Sequence, residues 1–286
     1  MATIIDGKSI SDNIKASLTE QVASFPAKYG RVPHLVVIRV GEDPASVVYV
    51  RNKAKACETI GIKNTTIVLD ESFSEAELLD KIKSLNADDE VDGLLVQLPL
   101  PSQISEAKVI ESIDKNKDVD GFHPANVAGL WQKTPHMEPC TPKGIMWLLR
   151  ETGIDPKGKR AVVIGRSNIV GLPVAKMLLD ANATVTLCHT RTVDMPSITK
   201  EADILVVAAG RAKMVTADMV KPGATVIDVG MDRDPETGKL CGDVDFQSVE
   251  PVAGAITPVP GGVGPMTIAC LMQNTVECFL NKMGAI

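Results

Sequence analysis

The chain alternates apolar, β-branched runs with helical patterns from end to end, and this alternation restricts its fold more than any other feature. Three runs in the first half have the pattern of strands: HLVVIRVG (34–41), NTTIVLD (64–70) and DGLLVQLPLP (92–101). Predicted helices lie between them at 44–60 and 74–86. Continuous apolar strands that are separated by helices indicate a parallel sheet covered by helices on both faces.

A second alternation of the same kind follows a polar connection. The stretch 114–140 is rich in Pro, His and Asn and is predicted to be irregular. A helix is expected next, with Thr141 as its N-cap, Pro142 as its first residue and Gly153 after its end. The runs that follow it are KRAVVIG, VGLPVAKMLLDAN, ATVTLCHT, ADILVVAAG and ATVIDVG. They predict a second parallel sheet, of the dinucleotide-binding type.

The length of 286 residues is enough for two domains with separate cores. We expect an α/β fold of two domains, each with a mostly parallel sheet flanked by helices, the second Rossmann-like, with a cleft between them. The predicted domains are residues 1–139 and 140–263, and a C-terminal helix at 264–286, starting near Pro265, is expected to pack back on the first domain. Because aromatic residues are only 3% of the chain, the cores must consist of Ala, Val, Ile and Leu.

The charge and the cysteines limit the classes of function. A net charge of −6, without a run of Lys or Arg, argues against nucleic acid as a partner. The six cysteines have no paired spacing, which indicates a reducing compartment rather than a disulfide framework. The first residues do not resemble a secretory signal, and no apolar stretch approaches the roughly 20 residues of a bilayer span. We expect a cytoplasmic protein that binds neither nucleic acid nor a membrane, and no metal site is predicted.

The segment VVIGRSNIVGLPVA has the pattern of a strand, a glycine turn and the start of a helix. Glycines let the backbone approach a pyrophosphate, whose charge is met by N–H groups at the helix N-terminus. Gly165 and Gly171 stand six residues apart with Arg166 and Ser167 between them, so the spacing differs from the usual G-x-G-x-x-G fingerprint. The turn favours a nucleotide site, and a tight turn that binds nothing is the alternative.

The end of the next predicted strand bears on the choice of coenzyme. An NAD site usually carries Asp or Glu about 20 residues after the glycines, where it binds the ribose 2′-hydroxyl. This chain instead has His189, Thr190, Arg191 and Thr192. Together with Arg166, Arg191 suits a 2′-phosphate, so NADP is favoured over NAD. A solvated loop arginine is the alternative for Arg191.

The predicted helix 44–60 places a lysine on its apolar face. Asp43 is its expected N-cap and Gly61 its expected stop. At about 100° per residue, one face carries Ser46, Tyr49, Val50, Lys53, Cys57 and Ile60, and the opposite face carries Arg51, Lys55 and Glu58. Lys53 either snorkels along this face to solvent, which the helix alone favours, or is partly desolvated and able to transfer protons near neutral pH.

Other segments supply candidate surroundings for an inward lysine. Gln97 precedes Leu98 at the expected carboxyl end of a parallel strand, where open α/β sheets bind ligands. Asp120, before a glycine in KDVDGFHPAN, can meet the N–H groups of a ligand ring. A strand-end hydrogen bond is the alternative for Gln97, and a capping role is the alternative for Asp120. PVPGGVGPMT (258–267) combines three glycines and three prolines, as expected of a loop over a ligand.

Seven blocks of the chain resemble, in order, those of a known family: YVRNK, LLVQLPLP, KDVDGFHPAN, PCTPKG, GRSNIVGLPVA, GDVDF and PGGVGPMT. The family is the bifunctional 5,10-methylenetetrahydrofolate dehydrogenase/5,10-methenyltetrahydrofolate cyclohydrolase, and the resemblance spans almost the whole chain. It implies oxidation of 5,10-methylenetetrahydrofolate with NADP⁺ and hydrolysis of the product to 10-formyltetrahydrofolate, in one-carbon metabolism and purine biosynthesis. It also implies a homodimer.

The resemblance implies a role for each matching residue. Lys53 is expected to transfer protons during hydrolysis, with Tyr49 orienting it and Gln97 tuning it, and Asp120 is expected to bind the pterin ring. The implied folate-binding residues are Ser46, Tyr49, Lys53, Gln97, Leu98, Asp120, Pro260, Gly261 and Gly262, with Cys140 near them. The implied NADP-binding residues are Gly165, Arg166, Ser167, Gly171, Thr190 and Arg191.

Two other functions compete with this one. A two-domain NADP dehydrogenase of a small hydroxy or keto substrate, resembling shikimate dehydrogenase, needs a base poised for a hydroxyl proton, and it gives QLPLP and PGGVGPMT no part in that chemistry. A non-catalytic NADP-binding regulatory protein predicts that Lys53 is dispensable.

Overall fold

The computed structural model describes residues 1–234 and 237–286. Its strands are β1 (Thr3–Ile4), β2 (His34–Val40), β3 (Lys63–Leu69), β4 (Gly93–Val96), β5 (Arg160–Ile164), β6 (Thr184–Cys188), β7 (Ile204–Val207), β8 (Thr225–Asp228), β9 (Asp232–Arg233), β10 (Leu240–Cys241) and β11 (Ala255–Ile256). Its helices are α1 (Gly7–Ala23), α2 (Phe25–Tyr29), α3 (Pro44–Ile60), α4 (Glu75–Asn86), α5 (Glu106–Ser112), α6 (Pro124–Gln132), α7 (Cys140–Glu151), α8 (Gly171–Asp180), α9 (Met195–Thr199), α10 (Phe246–Val249) and α11 (Val263–Lys282).

The chain divides into two compact units. The six-stranded unit comprises Met1–Ser11 and Thr141–Thr267, and the three-stranded unit comprises Asp12–Cys140 and Ile268–Ile286. Both contain parallel sheets flanked by helices, which confirms the predicted α/β class. The grouping differs from the predicted domain boundaries at the N-terminus. The physical reason is that β1 hydrogen-bonds in parallel to β11, so the first residues join the sheet of the later part of the chain.

The three-stranded unit contains a parallel sheet in the order β3-β2-β4. All seven residues of β2 are buried, including the polar His34 and Arg39, as expected of the central strand of a parallel sheet. The prediction of cover on both faces is wrong for β3, an edge strand with four exposed residues. The predicted strand 92–101 is too long, because β4 ends at Val96. Pro99 and Pro101, which lack an N–H group, cannot extend a ladder.

The six-stranded unit contains a sheet in the order β1-β11-β8-β7-β5-β6, in which every pairing is parallel. The predicted strands in this part of the chain are confirmed as β5, β6, β7 and β8. Residues of β5, β7 and β8 pack into one buried aliphatic cluster with Ile256 of β11. Because β5 and β6 run in parallel, the loops that follow them leave the same edge of the sheet.

Some of the predicted helix ends are confirmed and others are wrong. The bounds of α3 are confirmed. The predicted irregular stretch 114–140 contains α6, which starts because the His123 ring accepts an N–H from Ala125 at 3.0 Å and Pro124 takes the first helical position. Thr141 is not an N-cap, since α7 begins at Cys140. A proline within the first turn is compatible with this earlier start, because the N–H that it lacks needs no partner there.

The described residues also bear on compartment and membrane questions. None of their helices is long and apolar enough to cross a membrane. The six cysteines all lie among the described residues, none of them forms a disulfide, and five of them are buried. Burial raises the pKa of Cys57 to about 12, so that thiol stays protonated.

Candidate functional site

Lys53 lies on the buried face of α3. The helix begins where the Asp43 carboxylate accepts the N–H of Ser46 at 2.8 Å, and it ends at Gly61, which has a φ of 86°. The predicted inner face is confirmed: Ser46, Val50, Lys53, Cys57 and Ile60 are buried. Lys53 is only 7% exposed. The lysine side chain is therefore almost entirely buried, and Nζ has a protein partner in Gln97.

Gln97 holds the Lys53 ammonium. The Nζ atom of Lys53 donates to Oε1 of Gln97 at 3.0 Å. The backbone N–H of Gln97 donates to Ile38 in β2 at 2.8 Å, and its amide nitrogen donates to the carbonyl of Leu98 at 2.6 Å. Because the amide nitrogen is already engaged, the oxygen must face the lysine. The amide thus has one orientation, at the carboxyl end of β4 as predicted.

Asp120 is the carboxylate that interacts with Lys53. Burial raises the pKa of Asp120, and the Lys53 cation together with a hydrogen bond from Cys140 partly offsets that rise. Asp120 and Lys53 therefore interact electrostatically, although 67 positions separate them (120 − 53). The structure brings Lys53, Gln97, Asp120 and Cys140 together within the three-stranded unit.

Asp118 fixes the loop that carries Asp120. Its carboxylate accepts the N–H of Gly121 at 3.1 Å and the N–H of His123 at 2.8 Å. It also accepts the side-chain amide of Asn126 at 2.8 Å. A buried carboxylate with three donors holds the backbone on both sides of Asp120. Sequence reasoning missed Asp118, and the two aspartates that flank Val119 were the only signal for it.

Tyr49 lies one turn before Lys53 on the same helix. It is half-buried, and burial raises the pKa of its phenol. The phenol therefore stays protonated near neutral pH and offers a neutral hydroxyl and a ring face. Ser46, one turn earlier, is buried on the same face. These positions match the sequence prediction, while the roles expected of both residues stay predictions.

The arrangement can transfer protons. A lysine can donate a proton as the ammonium and accept one as the amine, and Gln97 holds its nitrogen in one place. Asp120 offers an acceptor for the N–H groups of a ligand. Among the described residues, no group of three or more His, Cys, Asp or Glu side chains is arranged to hold a metal ion.

The glycine turn in the six-stranded unit is shaped by close backbone contacts. A Cβ at Gly165 would lie 2.2 Å from the carbonyl oxygen of Ala208, and one at Gly171 would lie 2.3 Å from the carbonyl oxygen of Gly165. Gly165 also has a φ of 120°, which side chains rarely adopt. The Ser167 hydroxyl accepts the N–H groups of Val170 and Gly171 at 3.2 and 3.3 Å. The turn can thus bring bare backbone and the N-terminus of α8 to a phosphate.

The predicted arginines stand at this end of the sheet. Arg166 is exposed within the turn, and Thr190 and Arg191 are exposed just after β6. The N–H of Arg191 donates to the His189 ring at 3.1 Å, which shapes the loop. Because β6 lies beside β5, this loop and the glycine turn share one edge of the sheet. Two exposed cations beside a glycine turn suit a phosphorylated dinucleotide.

The loop of Pro260, Gly261 and Gly262 also belongs to the six-stranded unit. Gly261 has a φ of 111°, and its carbonyl accepts the N–H of Lys8 at 2.9 Å. A Cβ at Gly7 would lie 2.0 Å from the carbonyl oxygen of Gly262. The start of α1 therefore holds this loop, a contact that sequence reasoning missed. The prediction that the loop lies over a ligand stays a prediction.

Comparison with known protein families decides the relationship. The model for the catalytic domain of tetrahydrofolate dehydrogenase/cyclohydrolase matches residues 5–120, and the model for its NAD(P)-binding domain matches residues 139–283. The chain belongs to the tetrahydrofolate dehydrogenase/cyclohydrolase family. The resemblance drawn from the seven sequence blocks is confirmed.

Individual members of the tetrahydrofolate dehydrogenase/cyclohydrolase family are similar over nearly the whole chain. The bifunctional protein FolD of Magnetococcus marinus is 57% identical over 277 residues, 97% of each chain. The crystal structure of FolD from Campylobacter jejuni has a TM-score of 0.95 and 50% identity, covering 98% of this chain and 99% of that one. The Trypanosoma brucei FolD structure, a complex with NADP cofactor and inhibitor, has a TM-score of 0.94 and 39% identity, covering 99% and 98%.

The competing relationship is more distant. Shikimate dehydrogenase from Aquifex aeolicus has a TM-score of 0.53 and 15% identity, over 88% of this chain and 92% of that one. A likeness of this size shows a shared fold alone. The comparisons therefore favour the tetrahydrofolate dehydrogenase/cyclohydrolase family over the shikimate dehydrogenase alternative.

Proposed function

We propose that this protein oxidises 5,10-methylenetetrahydrofolate to 5,10-methenyltetrahydrofolate with NADP⁺ and hydrolyses the product to 10-formyltetrahydrofolate. The observation that carries the proposal is the contact between Lys53 and Gln97 beside Asp120. It occurs in a chain that matches both family models. In this proposal the three-stranded unit carries the folate chemistry and the six-stranded unit binds the coenzyme.

Hydrolysis needs three proton transfers. A water molecule adds to the methenyl carbon and loses one proton. The resulting hydroxyl then loses its own proton to become the formyl C=O, as the bond from that carbon to one ring nitrogen breaks and this nitrogen gains a proton, so that one proton is released overall. Lys53 can accept a proton from the water as the amine and donate it to the ring nitrogen as the ammonium, and the remaining proton passes to solvent. Gln97 keeps the nitrogen of Lys53 in place at 3.0 Å, and Asp120, held by Asp118, receives the N–H groups of the pterin ring.

Hydride transfer needs positioning rather than a base. Oxidation of the methylene bridge leaves a cation shared by two nitrogens, and no hydroxyl proton has to be removed. The proposed NADP-binding residues are Gly165, Arg166, Ser167, Gly171, Thr190 and Arg191. A side chain at Gly165 or Gly171 would collide with nearby backbone. This close packing supports a turn whose backbone can approach phosphates. NADP⁺, when bound, supplies the hydride acceptor.

Further parts of the proposal rest on the family resemblance and on composition. The proposed folate contacts are Ser46, Tyr49, Lys53, Gln97, Leu98, Asp120, Pro260, Gly261 and Gly262. We propose a cytoplasmic homodimer that supplies formyl groups for purine biosynthesis and binds no nucleic acid. Six cysteines without a disulfide support the proposed compartment, and the net charge of −6 supports the absence of a polyanionic partner. Light scattering on the purified protein tests the dimer.

A spectrophotometric assay tests the proposed function. The purified protein is mixed with methylenetetrahydrofolate and either NADP⁺ or NAD⁺, and the absorbance bands of the reduced coenzyme and of methenyltetrahydrofolate are followed together. We expect reduced coenzyme to form faster with NADP⁺, with little accumulation of the methenyl compound. Absence of coenzyme reduction with both coenzymes would contradict the proposal.

A further inference from the structure

The block GDVDF (242–246) has no role in the mechanism above, yet it contains a fully buried carboxylate. Asp243 is 0% exposed. Its two oxygens accept three backbone N–H groups, from Ala209 at 2.6 Å, Gly210 at 3.1 Å and Arg211 at 2.6 Å. These three residues directly follow Ala208, the first residue after β7, and Gly210 and Arg211 are themselves exposed. An interior charge thus holds a surface segment by its backbone.

This segment touches the glycine turn. The N–H of Ala208 donates to Ile164, the last residue of β5, at 2.8 Å. The carbonyl oxygen of Ala208 occupies the place where a side chain at Gly165 would be, 2.2 Å from that Cβ position. A displacement of the segment after β7 would therefore displace the turn. The three N–H groups held by Asp243 are already engaged, so this segment supports the turn rather than binding a phosphate through them.

Asp243 is held in turn by a second buried carboxylate. Asp228, at the end of β8, accepts the N–H groups of Gly230 and Asp243 at 2.9 Å each and that of Val244 at 3.0 Å. Gly242 and Gly230 allow this close approach. A Cβ at Gly242 would lie 1.9 Å from the Asp228 carboxylate, and one at Gly230 would lie 2.3 Å from the backbone nitrogen of Asp243.

We propose that Asp243 is a positioning residue of the cofactor site, which fixes the segment Ala209–Arg211 and, through Ala208, the phosphate-binding turn at Gly165. Asp228 positions Asp243 by the same means. The inference rests on the proposed function, because it assigns the turn to NADP. The segment 209–211 acts as a fixed wall of the site, so that binding the dinucleotide requires no ordering of this backbone.

The test compares Asp243→Asn with Asp245→Asn. Asparagine keeps the shape of Asp243 but removes its charge and turns one of its acceptor atoms into an N–H donor. The control removes a carboxylate two residues away, and the hydrogen bonds of this network do not involve it. We expect Asp243→Asn to raise both the Kd and the KM for NADP⁺ by about tenfold or more, because charge-assisted bonds to the segment are lost. The control should stay within about twofold.

Hydrolysis of methenyltetrahydrofolate is the internal reference, since the proposed proton-transfer residues lie in the other unit. We expect both variants to hydrolyse at the wild-type rate within about twofold. An equal NADP⁺ Kd for the two variants would overturn the inference, and so would a parallel loss of hydrolysis and NADP⁺ binding in Asp243→Asn. If the wild type does not oxidise methylenetetrahydrofolate, the proposed function fails instead.

Hydrogen exchange on the wild type tests the same inference without a variant. The amides of Ala209, Gly210 and Arg211 should exchange as slowly as those of the buried strand β7, although Gly210 and Arg211 are exposed, because their N–H groups are bound to Asp243. Exchange at the rate of an unprotected loop would overturn the inference even if Asp243→Asn fails to fold.

Discussion

The Lys53 site and the glycine turn at Gly165 carry their chemistry on different parts of the chain. At Lys53 the reactive atoms belong to side chains, and a side-chain contact, from Lys53 to Gln97, orients them. At Gly165 the decisive atoms belong to the backbone, and Gly165 and Gly171 are needed because no side chain fits. A side-chain site can lose its chemistry while its backbone stays in place. A backbone site can be lost only by moving the backbone.

The two sites nevertheless share one supporting device. Asp118 accepts three N–H donors around Asp120, and Asp243 accepts three from the segment after β7. In both, a buried carboxylate fixes a loop by binding its N–H groups. The comparison therefore separates the residues that contact substrate or coenzyme from the buried carboxylates that fix their loops. Substitutions in the two classes should differ in whether they change hydrolysis or NADP⁺ binding.

Lys53→Met should give the largest effect. Methionine fills the buried space without a titratable group, so hydrolysis of methenyltetrahydrofolate should fall about 10³-fold, the range expected for loss of a general acid and base. Decay of the methenyl absorbance measures it. Lys55→Met, on the exposed side of the same helix, is the matched control and should keep the wild-type rate. Unchanged hydrolysis in Lys53→Met would contradict the assignment.

Gly165→Ala should break the backbone site alone. The new Cβ collides with the Ala208 carbonyl and forces an unfavourable φ, so the Kd for NADP⁺ should rise about 100-fold while hydrolysis persists. Gly158→Ala is the control, because Gly158 has a φ of 72° but nothing within 4 Å of its Cβ position. Calorimetric titration with NADP⁺ compares them. Equal affinities in the two variants would contradict the claim that a side chain at Gly165 disrupts the site.

Arg166→Ala should give a smaller and more selective effect. If its cation meets the 2′-phosphate, the KM for NADP⁺ should rise about tenfold and the KM for NAD⁺ about twofold or less. Arg160→Ala, at the other end of β5, should change neither value. Steady-state rates with both coenzymes decide it, and equal changes in the two KM values would contradict the assignment of the 2′-phosphate.

Asp232→Asn should give the smallest effect, and a pH-dependent one. Burial and a hydrogen bond with Asp243 raise the pKa of Asp232 from 3.8 to about 6. A raised carboxyl pKa means that folding favours the protonated form, so this stabilisation is complete below 3.8 and is lost as the pH rises through about 6. Asparagine does not ionise, so the variant does not lose this stabilisation as the pH rises. Its Tm relative to wild type should therefore increase, by a few degrees at most, between about pH 4 and pH 8. A constant or falling difference would contradict the shift.

Local patterns were enough to predict strands β2 to β8, the bounds of α3 and the orientation of Lys53. The spacing of Asp43 and Gly61 marks both ends of α3, and the helical period alone puts Lys53 on the buried side and Lys55 on the exposed side. The strand pattern placed Gln97 at the carboxyl end of a parallel strand, and only the family resemblance implied its contact with Lys53. The seven family blocks then supplied the expected reaction, which no periodicity could have provided.

Contacts between distant segments could not be predicted. The strand β1 is two residues long and pairs with β11 about 250 residues later, so neither has a recognisable pattern. Asp243 accepts N–H groups from residues 32 to 34 positions earlier, and a carboxylate that caps backbone elsewhere looks like any loop aspartate in sequence. The contacts of β1 and of Asp243 depend on how the sheet is assembled, which the hydrophobic pattern does not specify.

The most direct measurement of the central claim, that hydrolysis depends on Lys53 and hydride transfer on a separate backbone site, is a two-signal progress curve of Lys53→Met. The variant is mixed with methylenetetrahydrofolate and NADP⁺, and NADPH and methenyltetrahydrofolate are followed together. We predict that NADPH forms and that methenyltetrahydrofolate accumulates in equal amount, whereas the wild type accumulates little. NADPH formation without accumulation, or loss of NADPH formation together with hydrolysis, would contradict the account.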